Sequence, residues 1–269
     1  MRKLLAFIPL LFILFSACSP YEAILKSKDI NLKFAKANEY YEQKKWMKAN
    51  QLYEGLIPSF RGTKNYEELY YRFCYTFYNM DDYLSASYQF KNFTEFFPKS
   101  TRADETEFMY ALCLYKMSQK PSLDQTSTIK AMEVLQMYIN LHPTSAKLTE
   151  ANKYIDECRA KLEKKDADAA KLYYNISYYK AAVTAYKALI FAYPESDNGD
   201  FYQFMIAKAY FMYAKNSYPD KQEERYAETL NSVTELKQYY PNSSWLKEAE
   251  SYSKSAQSNI NKIRNEQPK

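Results

Sequence analysis

The side chains that most often carry covalent or metal chemistry are scarce in this chain. It has one histidine, His142, and four cysteines, Cys18, Cys74, Cys113 and Cys158, among 269 residues. A Ser-His-Asp relay needs its imidazole beside a nucleophile, and His142 stands in an aromatic-proline stretch where packing accounts for it. Cys74, Cys113 and Cys158 are too irregularly spaced for a zinc site or a disulfide framework. They sit inside helical patterns and read as small core residues. The carboxylate pairs Glu67-Glu68, Asp81-Asp82 and Glu223-Glu224 fall in loops or on polar helix faces, which is solvated surface. With only 3 glycines there is no Gly-rich loop to cradle a phosphate. No catalytic residue, metal ligand or cofactor is expected, so the chain reads as a non-enzyme. Cys18 is the one thiol placed for chemistry, because it closes an apolar run next to small residues.

That run has the layout of a targeting segment. Arg2 and Lys3 form a basic head, Leu4 to Phe15 an apolar core, and Ser16-Ala17 the small residues beside a cleavage point. The apolar core is shorter than the roughly 20 residues needed to span a bilayer. A cysteine directly after these small residues resembles the bacterial lipobox. The resemblance implies a lipoprotein signal peptide over 1–17, cleavage before Cys18, and a covalent lipid on Cys18 as the only prosthetic group. Ser19 follows, where Asp would mark inner-membrane retention in enteric bacteria, so the implied location is the outer membrane, lipid-anchored on its periplasmic face. Residues 18–29 are then a lipidated flexible tether.

The 269-residue chain as a whole is polar, with 26% charged residues and a mean hydropathy of −0.60. The formal charge of +5 falls to +3 without Arg2 and Lys3, and no Lys/Arg block stands out, so nucleic acid is not an expected partner. The 29 tyrosines are the compositional surprise. Tyrosine buries its ring and keeps its hydroxyl wet, which suits a fold made of helix-helix contacts with a broad solvated face.

An internal repeat explains them. Phe97-Pro98-Lys99-Ser100, His142-Pro143-Thr144-Ser145, Tyr193-Pro194-Glu195-Ser196 and Tyr240-Pro241-Asn242-Ser243 align. Upstream of each proline stand Ala86, Ala131, Ala182 and Thr229. Phe90, Leu135, Tyr186 and Val233 follow these small residues, and then Phe93, Tyr138, Leu189 and Leu236. A further copy is Ala49, Tyr53, Leu56 and Phe60, with Arg61 in place of the proline. Spacings of 4, 3 and 4 put these residues on one helical face. The proline stops the helix and the serine after it is the expected N-cap of the next. A second helix precedes each, marked by Ala37-x-x-Tyr40, Cys74-x-x-Phe77, Ala111-x-x-Leu114, Ala170-x-x-Tyr173 and Ala207-x-x-Tyr210.

The pattern resembles the tetratricopeptide repeat. The expected fold is all-α, a right-handed superhelix of about five such helix-turn-helix units. It forms a single domain over 30–264, with repeats at about 30–61, 67–98, 104–143, 163–194 and 200–241. A lengthened helix at 145–164, a capping helix at 244–263 and a tail at 265–269 complete the chain. A groove lined by the first helix of each pair would receive peptide. The register names Asn31, Phe34, Asn38 and Tyr41 in repeat one, Glu68, Tyr71, Arg72, Tyr75 and Tyr78 in repeat two, and Phe108, Leu112 and Tyr115 in repeat three. Aromatic rings offer area for side chains, and Arg72 a partner for a terminal carboxylate.

The lipobox, the five repeats and the lengthened helix together resemble the BamD family, the lipoprotein of the machinery that assembles outer-membrane β-barrels. The run Ile155-Asp156-Glu157-Cys158-Arg159-Ala160-Lys161-Leu162, then Tyr173-Tyr174 and Tyr179-Lys180-Ala181-Ala182, carries the likeness. Lys164-Lys165-Asp166 and the missing first proline depart from it. The resemblance implies a scaffold. Its C-terminal repeats would dock on the periplasmic domains of a β-barrel insertase. Its N-terminal repeats would receive the C-terminal strand of unfolded outer-membrane protein substrates. The alternative is a lipoprotein serving another outer-membrane partner, either a secretin pilotin or a component of nutrient or glycan uptake. A Trp-rich sugar platform is not available from Trp46 and Trp245 alone.

Overall fold

The computed structural model describes residues 20–266. The signal-peptide segment 1–17, the acylation candidate Cys18 and tail residues 267–269 lie outside the described residues. Twelve helices and no strand are found among the described residues. They are α1 (Pro20–Lys26), α2 (Ile30–Glu42), α3 (Trp46–Phe60), α4 (Tyr66–Asn79), α5 (Tyr83–Phe96) and α6 (Ala103–Lys116). Then follow α7 (Thr126–Leu141), α8 (Leu148–Asn175), α9 (Tyr179–Ala192), α10 (Gly199–Lys215), α11 (Pro219–Tyr239) and α12 (Leu246–Glu266). The fold is the all-α tetratricopeptide type, in which each helix packs on its neighbours in sequence.

The stretch 30–264, expected as one domain, holds two compact units that divide inside α8. The first takes the described residues to Gln119 and Asp124–Cys158. The second takes Lys120–Leu123 and the chain from Arg159. Lys165 Nζ donates to the carbonyls of Leu123 (2.7 Å) and Pro121 (3.4 Å), which holds that short loop on the second unit.

Both units are built on the repeat positions. The ten small residues, Ala37, Ala49, Cys74, Ala86, Ala111, Ala131, Ala170, Ala182, Ala207 and Thr229, are all fully buried. A short side chain there lets helix axes approach closely, and the larger residues four and seven positions on fill the space beyond.

Each later repeat closes on itself through one turn. Phe97, His142, Tyr193 and Tyr240 take nearly the same backbone conformation, φ between −122° and −132° and ψ between 58° and 63°. Their N–H groups still bond the helix carbonyl four residues back. The following proline then ends the ladder. The serine hydroxyl of each turn donates to an acid that opens the same repeat, in the first turn of its first helix for Glu67, Asp104 and Asp200 and midway along α8 for Glu163. Ser100 bonds Glu67 (2.7 Å), Ser145 bonds Asp104 (2.9 Å), Ser196 bonds Glu163 (2.5 Å) and Ser243 bonds Asp200 (2.7 Å). The same oxygen accepts the N–H two residues on, at Arg102, Lys147, Asn198 and Trp245. These serines are therefore not N-caps as expected. The next helices start about three residues later, because the turn spends those residues on the serine's own bonds. Repeat one has Ile30 where the acid would stand. There Arg61 (φ −55°) stands at the proline position, Gly62 takes a positive φ of 82°, and Thr63 donates instead to the Phe60 carbonyl.

Between the helices of repeats one, two and four, Lys44, Asp81 and Ser177 carry positive φ. The N–H of Lys45, Asp82 and Tyr178 reaches back to Tyr40, Phe77 and Tyr173, so these are Schellman turns built without glycine.

Two terminal expectations are corrected. Part of the tether at 18–29 is helix: α1 packs Tyr21, Ile24 and Leu25 on the first core, and the Tyr21 hydroxyl donates to Gln51 (2.7 Å) and to the Lys48 carbonyl. The helix expected over 244–263 runs to Glu266 as α12, anchored by Arg264 on Glu223 at 2.8 Å, so 265–266 are not tail.

Two measurements test this account. Ser243→Ala removes a charge-assisted bond and a turn bond together, and should cost about 1–2 kcal/mol in chemical denaturation. Lys44→Gly relieves a left-handed backbone with no side-chain bond at stake, and should raise stability by about 1 kcal/mol.

Candidate peptide-binding face

In the first unit, the first helices of repeats one to three share a face that carries a connected set of rings and charges. Arg72 on α4 lies 5.0 Å over the Tyr41 ring on α2. Its Nη1 meets Glu42 at 2.7 Å and its Nε meets Glu68 at 2.5 Å. The other oxygen of Glu68 takes Arg102 at 2.6 Å, and that guanidinium lies 4.2 Å over the Tyr71 ring. The Tyr71 hydroxyl donates to both oxygens of Glu105 on α6 at 3.0 Å, and the Tyr75 hydroxyl donates to the same carboxylate. The line runs from α2 across α4 to α6 without a break.

The electrostatics follow from this crowding. Burial pushes Glu68 up, but the hydrogen bonds and charges of Arg72 and Arg102 outweigh it and hold its carboxyl below the usual range. Burial alone would lower Arg72, but Glu68 and Glu42 hold it raised. Burial and then Glu105 push the Tyr71 phenol up to about 12, and Tyr75 is raised for the same reasons. Both phenols are thus fixed as donors at neutral pH. Two guanidinium cations face three carboxylates, so the set leans acidic.

The structure sorts the sequence candidates. Tyr41, Tyr71, Arg72 and Tyr75 belong to the connected set. Tyr78 lies at its edge, 6.3 Å from Tyr75 ring to ring. Asn38 accepts from the Tyr53 hydroxyl at 2.8 Å, and Phe34 packs on Phe60 at 4.8 Å, so both turn toward α3. Asn31 is exposed in the first turn of α2, its N–H taken by the Asp29 cap. Phe108 and Leu112 are corrected: both are buried, Phe108 to 1% exposure, and they belong to the core. They occupy the register of Tyr71 and Tyr75, but Tyr138 and Tyr154 pack around Phe108 and cover it. Tyr115 forms a second set, its ring 4.3 Å from that of Tyr154 at a 35° tilt and its hydroxyl bonded to Glu157 of α8. Arg72 is also not free for a carboxylate, since two acids already hold it.

Glu42, Arg102 and Glu105 went unnamed from sequence. Glu105 stands in repeat three where Glu68 stands in repeat two, a register signal that the sequence does carry. Cys74, Cys113 and Cys158 are fully buried, and burial pushes the Cys113 thiol up to about 12.

A family model for YfiO, described as an outer membrane lipoprotein, matches residues 27–198. The chain belongs to the YfiO outer membrane lipoprotein family. The match covers α2 to α9 and therefore the whole ring-and-charge set. No curated protein matches the chain. Among solved structures, the TPR2AB domain of yeast Sti1 in its pHSP90 complex is 16% identical, over 85% of this chain and 98% of that one, with a TM-score of 0.41. The TPR domain of P58(IPK) is 11% identical, over 88% and 67%, with a TM-score of 0.42. Among the described residues of this YfiO-family chain, no helix is long and apolar enough to cross a membrane.

The depressed Glu68 carboxyl gives a pH dependence. Its contribution to stability is full above the unfolded carboxyl value of about 4.3 and is lost as pH falls through the lower folded value. Glu68→Gln should therefore be less stable than the parent at pH 7, and the gap should narrow on acidification toward pH 3. Circular dichroism melts across that range measure it.

Proposed function

We propose that the chain is a BamD-type adaptor of outer-membrane β-barrel assembly, acting by binding and orientation with no catalytic step. Membership of an outer membrane lipoprotein family, together with the ring-and-charge face on the first unit, supports this reading. In it, Cys18 carries the lipid anchor and the protein lies on the periplasmic side. The face on α2, α4 and α6 receives an extended strand that ends in an aromatic residue and a carboxylate. Aromatic side chains dock against Tyr41, Tyr71 and Tyr75. The terminal carboxylate exchanges with Glu42, whose side chain is 69% exposed and holds Arg72 only from the solvent side. An exposed partner of this kind is displaced at small cost, whereas Glu68, shared by two arginines, stays in place. The C-terminal repeats hold the barrel insertase.

Affinity purification of the tagged protein from detergent-solubilised outer membranes, followed by mass spectrometry, tests the reading. A large β-barrel protein with repeated periplasmic domains should copurify, and truncation from residue 182 should lose it. A secretin or a nutrient transporter in its place would overturn the assignment.

A further inference from the structure

The second unit carries a concave surface that the face on the first unit does not involve. It is an open groove of about 660 Å³ at the junction of α8 and α9, closed on one side by Tyr213 of α10. Tyr173, Tyr178 and Tyr179 form its walls, and Ala181, Ala185 and Ala188 its floor. Two of its rings stand in solvent, Tyr173 at 42% exposure and Tyr178 at 65%, and the same two helices expose Phe191 at 89% and the turn between them Ile176 at 50%.

Lys180 is the one charged side chain in its lining. From Ala169 to Tyr193 the sequence has Lys171, Lys180 and Lys187 and no acidic residue. Lys180 lines the groove and has no carboxylate within ion-pair distance among the described residues. Lys180 also occupies the first turn of α9, where a cation opposes the helix dipole and an acid would be favoured. The N-cap, Tyr178, offers no side-chain acceptor, so the first N–H groups of α9 add to the positive field. An apolar concavity whose charged lining residue is a cation at a helix N-terminus is complementary to an acidic occupant.

We infer that this groove docks an acidic amphipathic segment of a partner protein, with aliphatic side chains over the alanine floor and a carboxylate at Lys180 and the α9 N-terminus. A concavity admits side chains of a helix or strand, whereas a bilayer presents a flat surface. The inference builds on the adaptor reading by giving the second unit's partner its chemistry.

The test is fluorescence anisotropy of the purified protein with three probes. They are a labelled 18-residue amphipathic peptide of Leu and Glu, its Leu and Lys counterpart, and phosphatidylglycerol vesicles. The Leu/Glu peptide should bind about tenfold more tightly than the Leu/Lys peptide. Lys180→Glu should erase that preference, and Thr184→Trp, which fills the groove, should weaken binding by a similar factor. Lys180→Glu improves the electrostatics of the α9 N-terminus, so loss of fold does not confuse the result. Equal binding of the two peptides, binding indifferent to both substitutions, or a preference for vesicles would overturn the inference. Recovery of the barrel partner by a Lys180→Glu protein would remove the groove from the interface and leave the adaptor reading intact. Failure to recover that partner with peptide binding preserved would do the reverse.

Discussion

The bond between a turn serine and a first-helix acid is the constraint on which the rest of this structure leans. A helix pair has no intrinsic reason to stop after about 35 residues and begin again. Here the aromatic residue holds one backbone conformation, the proline ends the ladder, and the serine reaches back to the acid that opened the repeat. Each of the four complete closures joins the start and the end of one repeat by a charge-assisted serine-to-acid contact. With the ends fixed, the small residues of the paired helices meet at the same height in every repeat. The fully buried alanines are a consequence of that register as much as a cause of it. Gly199 shows how tight the closure is: a Cβ there would stand 2.6 Å from the Tyr240 hydroxyl, so a side chain at that point would require the Tyr240 ring to move.

The face on the first unit grows from the same scaffold with different residues. Glu68 and Glu105 hold equivalent positions in repeats two and three, one residue after the closing acids Glu67 and Asp104. The first turn of each helix thus serves two purposes: one acid seals the repeat and the next looks outward to arginines and phenols. Mutual neutralisation keeps rings and charges ordered with no ligand bound. A peptide meets a surface whose side chains are already placed, and its binding does not have to bear the entropy of arranging them.

Much of this was legible in the sequence because the repeat is a statement about spacing, and spacing fixes which residues share a helix face. The ten small positions and the helix-ending prolines followed from it. The misreadings have separate causes. Phe108 looked like Tyr71 by register, but register gives a direction and not what covers it, and Tyr138 and Tyr154 close over that ring. Arg72 looked available because its partners, Glu42 and Glu68, come from two different helices, and one of them lies 30 residues away. The segment after Cys18 looked like tether because seven residues of helix are below what periodicity can detect. Tyr21 and Ile24 dock through contacts that only the fold provides. The groove on the second unit left only a negative trace in the sequence, a stretch without acids.

The closing contacts also bear on how the chain reaches its fold. They span between 33 and 43 residues, and helices otherwise touch their neighbours in sequence, with α10 against α12 the widest step. No distant strand has to be found, so contact order is low and ordering can begin before the whole chain is present. A polypeptide threaded through a pore with its N-terminus leading can seal each repeat as soon as that repeat's serine has emerged. Every sealed repeat then offers the next one a finished surface to pack against.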